Sequence, residues 1–175
     1  MKLNNLTHTW GDDLDILLVG PGGQQALVWS DAGGGDPGFP VDVTVTLDND
    51  AAAPLPDGTP IVSGTYQPAN YEAAVDGFPA PAPAPGTSAS LLNFNGTSPN
   101  GAWSLYIVDD AASDTGTLAG GWELNITTDT CAAGSISGTI IYGNPIGNPV
   151  PPRFVKNVSV ASTVGAPPVG PVVTG

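Results

Sequence analysis

Glycine and proline break this chain too often for it to build many helices. Together they supply 43 of its 175 residues, and few stretches of ten or more residues lie between them. An isolated helix needs roughly a dozen residues to hold together, and the strong helix formers Lys, Glu, Arg and Gln are scarce. What lies between the breakers alternates with period two. Val41, Val43, Val45 and Leu47 alternate with Asp42, Thr44, Thr46 and Asp48. Trp122, Leu124 and Ile126 alternate with Glu123, Asn125 and Thr127. Both patterns predict half-buried antiparallel strands. Trp103, Leu105 and Ile107 form a third such face. A helix over 102–113 competes there, but aromatic and β-branched content favours the strand.

Leu14–Val19 is a short apolar run, read as a strand buried on both faces or nearly so. It ends at Gly20-Pro21-Gly22-Gly23, a strong turn signal. Ala26–Trp29 then returns, so 13–30 is expected to be a hairpin. Ile61–Gln67 and Leu3–Trp10 are further expected strands. Six or seven strands in the first 130 residues, with turn-rich connections, predict an all-β sandwich. Pro79–Pro85 alternates Pro with Ala and is expected to be extended as polyproline II. Asp31–Asp36, rich in Gly, and Asp48–Gly58 read as loops.

Charge divides the chain. Hydrophobic residues make up 41%, enough to bury a core, while charged residues are only 11%. Residues 1–130 hold every acid and one base, net −15, whereas 131–175 hold no acid and two bases, net +2. This excludes nucleic-acid binding and attachment to anionic membranes, since nothing neutralises phosphate. One Cys, Cys131, excludes an intrachain disulfide framework, and one His, His8, excludes multi-histidine metal sites. No run of 18 apolar residues exists, so no membrane insertion is expected, and no apolar signal segment follows Met1. The second stretch has strand-like pieces at Ser135–Tyr142 and Phe154–Val160. Two or three strands cannot bury a core alone. We therefore read 1–128 as a β-sandwich, 129–134 as a linker, and 135–175 as the start of a second β module that is cut off.

A Ser-His-Asp protease would need His8, but no Ser lies in a nucleophile turn. Paired carboxylates for glycoside hydrolysis would have to meet from different loops, because Asp12/Asp13 and Asp109/Asp110 are sequence neighbours. Fourteen Asp with almost no counter-charge suit a hard cation such as calcium better. Asp12, Asp13, Asp109, Asp110 and Asp114 are the candidate ligands, because sandwich strand ends gather at a rim. The competing reading is that these Asp residues cap turns. Trp10, Trp29, Trp103 and Trp122 are a conceivable sugar-stacking set, although Trp103 and Trp122 are in phase with core positions.

The ordered motifs carry a resemblance. His8-Thr9-Trp10-Gly11-Asp12-Asp13-Leu14-Asp15-Ile16 and Gly20-Pro21-Gly22-Gly23 resemble the opening half of a P/Homo B domain. Phe94-Asn95-Gly96, Asn100-Gly101-Ala102-Trp103, Val108-Asp109-Asp110, Asp114-Thr115-Gly116-Thr117-Leu118 and Trp122-Glu123-Leu124 resemble its closing half. This domain follows the catalytic domain in proprotein convertases and many bacterial subtilisin-like proteases. The resemblance implies a jelly-roll, galactose-binding-like β-sandwich in which the His-Thr motif is structural. It implies a non-catalytic accessory domain, secreted or at the cell surface, that stabilises or regulates an attached serine endopeptidase. Its partner would be the neighbouring domain of the same polypeptide. It also implies one or two strands before His8-Thr9 that this chain lacks, so an N-terminally truncated domain with an exposed sheet edge is expected. Ser135–Tyr142 weakly resembles the start of an Ig-like or carboxypeptidase-regulatory-like module. The alternative function is an extracellular glycan- or protein-binding module with no protease attached, and a third is an independent Asp-dependent hydrolase.

Overall fold

A computed structural model describes residues 1–34, 40–72 and 77–128, together with four short strands beyond them. The chain divides into two compact units, Met1–Ile126 and Thr127–Gly175. Among its described residues the first unit is all-β: nine strands in two mixed sheets that face each other across one apolar core.

The strands are β1 (Lys2–His8), β2 (Leu14–Val19), β3 (Gln25–Ser30), β4 (Val43–Leu47), β5 (Gly64–Tyr66), β6 (Ala69–Asn70), β7 (Ser104–Asp109), β8 (Gly116–Leu118) and β9 (Trp122–Glu123). One sheet runs β5-β4-β1-β8, with β9 continuing along the same edge of β1. The other runs β6-β3-β2-β7. Pairing is antiparallel except for β4 with β5 and β3 with β6.

The expected hairpin over 13–30 is present as β2 and β3, closed by Gly23 N–H to Gly20 O at 3.0 Å and Gly20 N–H to Gln24 O at 2.8 Å. Gly23 lies at φ +84°, which only glycine takes without cost. Five of the six β2 residues are buried, Asp15 among them. Leu14, Ile16 and Leu18 face the central core beside Ala26, Val28 and Trp29. Leu3, Leu6, Val43, Val45 and Leu47 answer from the opposite sheet. Each fully buried aliphatic side chain contributes roughly 1.5–3 kcal/mol.

Several expected boundaries move. Val41 is 64% exposed and precedes β4, so the alternation that includes it is longer than the strand. Regular pairing covers only 64–66 of the expected strand over 61–67, while Ile61 plugs the core from the preceding loop. After β9, Leu124 still packs on the core, but Ile126 is 42% exposed. Within 102–113 the chain forms a strand over 104–109 and no helix, because β7 has β2 to pair with along its whole length. Pro79–Pro85 is not continuously extended: the Ala80–Pro81 bond is cis, and Ala82 N–H bonds Pro79 O at 3.1 Å to close a turn. The loop that follows lines β3, with Leu27 N–H donating to Ser88 O and Asn93 Nδ2 to Gln25 O.

In the second unit, Ser135–Ile136 pairs with Val158–Ser159, and Ile140–Ile141 with Phe154–Val155, both antiparallel. The expected linker and Cys131 fall wholly outside the described residues, as do parts of Ser135–Tyr142, of Phe154–Val160 and of the Asp31–Asp36 loop.

Two contacts tie the ends of β2 and β7 to the rest of the sandwich. At one end the Gly20-Pro21 turn meets Phe94 and Gly101. Phe94 and Trp103 pack with ring centroids 5.0 Å apart. A Cβ on Gly101 would come within 2.8 Å of Pro21 Cβ. At the other end Gly116 lies under the His8 ring, where a Cβ would stand 2.2 Å from His8 Cδ2 and 2.8 Å from Thr7 O. Backbone cannot yield as a side-chain tip does. Gly116→Ala is therefore expected to cost about 1–3 kcal/mol, seen as a lower urea midpoint at unchanged slope, whereas exposed Gly77→Ala leaves it within error.

Candidate functional site

The register of β7 against β2 decides what gathers at the second of these ends. Leu14 stands opposite Asp109, Ile16 opposite Ile107 and Leu18 opposite Leu105. Directly paired residues share a face, and Leu14, Ile16 and Leu18 face the core. Asp109 therefore occupies a core-phase position at the last residue of β7. His8 does the same at the end of β1, in phase with Leu6. The two meet between the sheets, with His8 Nε2 3.4 Å from Asp109 Oδ2 and the His8 side chain only 2% exposed.

The other face of the imidazole is held by its own chain. His8 Nδ1 lies 2.5 Å from Trp10 O and 3.2 Å from Trp10 N. Thr9 next door closes the motif onto the far end of the unit. Its hydroxyl donates to Asp114 Oδ1 at 2.8 Å and accepts from Thr115 N–H at 2.9 Å, and Thr9 N–H donates to Thr115 O at 3.0 Å. His8-Thr9 and Asp114-Thr115-Gly116 are thus one interlocked contact. Nothing in these bonds supplies a nucleophile to His8, whose ring is engaged by Trp10 and Asp109.

The five Asp residues singled out from the sequence do come to one rim. Asp12 and Asp13 belong to a short 3₁₀ turn, Gly11–Asp13, just before β2. Asp110 follows β7 and its N–H bonds Asp13 O at 3.1 Å. Asp114 is spent on Thr9 and Asp109 is turned to His8, as described. Among the described residues, no group of three or more His, Cys, Asp or Glu side chains is gathered tightly enough to hold a metal ion. The turn-capping use of Asp is visible elsewhere, where Asp48 Oδ1 accepts from Asp50 N–H at 3.0 Å.

Crowding of like charge marks the rim. Burial first, then the charges of Asp114, Asp110, Asp109 and Asp12, push the Asp13 carboxyl up to about 6. Asp12 is also raised, by burial and then by Asp57, against a stabilising hydrogen bond from the Gly34 backbone. Asp57, in the 48–58 loop, is a member of this neighbourhood that the sequence reading did not single out. The only base of this unit, Lys2, stands 4.0 Å from Glu123.

Between the edges of the two sheets, beside His8 and Asp109, an open cleft of about 240 Å³ is bounded by Leu6, Leu14, Ile107 and Leu118. Ile107 is 41% exposed despite its core phase. The four Trp residues do not form a platform of free rings. Trp29 is fully buried, its Nε1 donating to Gly11 O at 3.1 Å. Trp103 stacks on Phe94 and donates to Pro99 O, and Trp122 packs on the core. Among the described residues no helix is long and apolar enough to cross a membrane. Comparisons with protein-family models, curated proteins and solved structures give no match to this chain.

The Asp13 shift fixes a sign. An unfolded Asp titrates near about 4, so folding favours the protonated form. Its favourable contribution is complete below about pH 4 and is lost as pH rises through about 6. Asp13→Asn is expected to raise the melting temperature at pH 7 by a few degrees and to flatten the stability profile between pH 4 and 6. Urea midpoints across that range measure both. A variant no more stable than the parent at pH 7 would mean that the rim charges are screened.

Proposed function

We propose that Met1–Ile126 is a non-catalytic accessory domain of the P/Homo B type, a jelly-roll sandwich that stabilises or regulates an attached subtilisin-like serine endopeptidase in a secreted protein. One observation carries the reading. The motifs that resemble the family, some 105 residues apart in the chain, touch each other: Thr9 bonds Asp114 and Thr115, and His8 covers Gly116. Residue types that look arbitrary one at a time have a joint packing reason. Ring, hydroxyl and missing Cβ each need the other two, which is what a shared structural motif requires.

This role is mechanical. A domain of this kind acts by burying a face against its neighbour, which adds the binding free energy of that contact to the neighbour's stability. His8 has a structural part here, clamped between Trp10 and Asp109, and the chain itself is not an enzyme. Reading the coding sequence on both sides of this chain tests the proposal. An adjoining catalytic domain with Asp, His and Ser motifs is expected. A string of β repeats ending in an anchoring tail would replace this reading with a surface binding module that takes a glycan or protein ligand.

Calcium belongs to the same proposal. The charges of Asp114 and Asp110 crowd Asp13 at the rim, and a hard cation is the direct way to relieve that crowding. Millimolar calcium is expected to raise the melting temperature of the chain by several degrees, EDTA to reverse it, and Asp13→Asn with Asp110→Asn to abolish the response. An identical melt in calcium and in EDTA would remove the cation from the account.

A further inference from the structure

We propose that the flank between β7 and β8 takes up an extended peptide segment, with an aliphatic side chain in the cleft and Lys or Arg residues on the acidic rim. The inference goes beyond the accessory-domain reading and holds whether or not a protease adjoins. Four observations carry it.

β7 and β8 end their sheets: among the described residues β7 pairs only with β2, and β8 only with β1. Half the backbone N–H and C=O groups of an edge strand point away from its partner and template a further strand. The opposite side of the second sheet is covered differently, since β6 and the 86–93 loop occupy the β3 edge. β5 and β6 end the sheets at the other side, but only this flank joins its edge strands to an apolar cleft and a row of acids.

The cleft between the edges is apolar where an inserted side chain would sit. Leu6, Leu14, Ile107 and Leu118 bound it, and its volume of about 240 Å³ accommodates one or two aliphatic side chains. Ile107 has the phase of a core residue but stays 41% exposed, so the described residues leave it room to bury against an incoming side chain.

A polar atom waits inside. His8 Nε2 is buried, and its Asp109 contact is too poorly aligned to count as a hydrogen bond. It stands 3.4 Å from Asp109 Oδ2 at the polar end of the cleft. A better-aligned backbone or side-chain group of the incoming segment completes the hydrogen bonding of this nitrogen.

Charge selects the segment. The rim next to the cleft carries Asp13, Asp109, Asp110 and Asp114, and Lys2, the one base in the first 130 residues, is already beside Glu123. A second copy of this chain would bring the same acids against them, so edge-to-edge self-pairing is opposed. A basic segment gains on binding what a copy would lose.

The probe is a fluorescein-labelled octapeptide that alternates Val with Thr and ends in two Lys, titrated into the full chain at low salt and read by anisotropy. Saturable binding is expected, with the largest amide NMR shifts at residues 104–109 and 116–118. Replacing the probe's Lys by Glu is expected to weaken binding at least about tenfold, and Ile107→Asp and Asp110→Lys to do the same from the protein side. Both positions are exposed, and melting curves verify that the variants fold. The shift map on the unaltered chain and the Lys-to-Glu probe comparison stand even if a variant fails. No saturable binding, equal binding of the two probes, or shifts confined to another face overturns the proposal. So does a dimer that Ile107→Asp dissociates, since the flank would then serve self-association.

Discussion

The contact of His8 and Thr9 with Asp114, Thr115 and Gly116 is the constraint on which the rest of the first unit depends. It joins the first strand to the loop leading into β8, and it does so with little freedom. The imidazole fits only because residue 116 has no Cβ, and the Thr9 hydroxyl both donates and accepts across the same gap. Once β1 is held there, the 116–123 segment is drawn along its length. Ala119 and Gly120 N–H groups bond Asn5 O and Asn4 O, and Asn4 N–H bonds Gly121 O. Asn5, at φ +53°, marks the irregularity this imposes on β1.

The other sheet is organised by the burial of β2. Its neighbours β3 and β7 pair with it along nearly its whole length, and both of its faces are shielded. The price of that central place is that β7 is left at an edge. Side chains from β7 onward are only partly covered: Leu105, Leu118, Trp122 and Leu124 pack against the core without closing it. Apolar cleft, buried imidazole and crowded carboxylates therefore share one flank. The proposed accessory-domain role and the proposed strand-capture role would both use surfaces of this sandwich.

Much of the core was legible from period two. Val43, Val45, Leu47, Leu105 and the β2–β3 hairpin follow from alternation and a Gly-Pro-Gly-Gly turn. Among the strands the errors were of length. Alternation through Val41 and Ile126 continued past the point where a partner strand exists, and pairing rather than pattern ends a strand. Part of the site was legible too. Asp109 lies two residues beyond Ile107, so its core phase could have been read from the same alternation that marked Trp103, Leu105 and Ile107. The approach of Asp57 to Asp12 could not, because a loop's path depends on its packing and not on its period.

The sequence by itself determined that this is a β protein, where its turns fall, which side of each strand is apolar, and that the acids far outnumber any local counter-charge. These are local properties: breaker frequency, alternation and composition act within a few residues. Only the tertiary structure decided that His8 faces Asp109, that Gly116 is needed under the imidazole, and that five Asp residues share one rim without a coordinating group of three assembled among the described residues. Those facts depend on which strands neighbour which. That order is set by the joint burial of apolar faces contributed by segments about a hundred residues apart, and no local pattern encodes it.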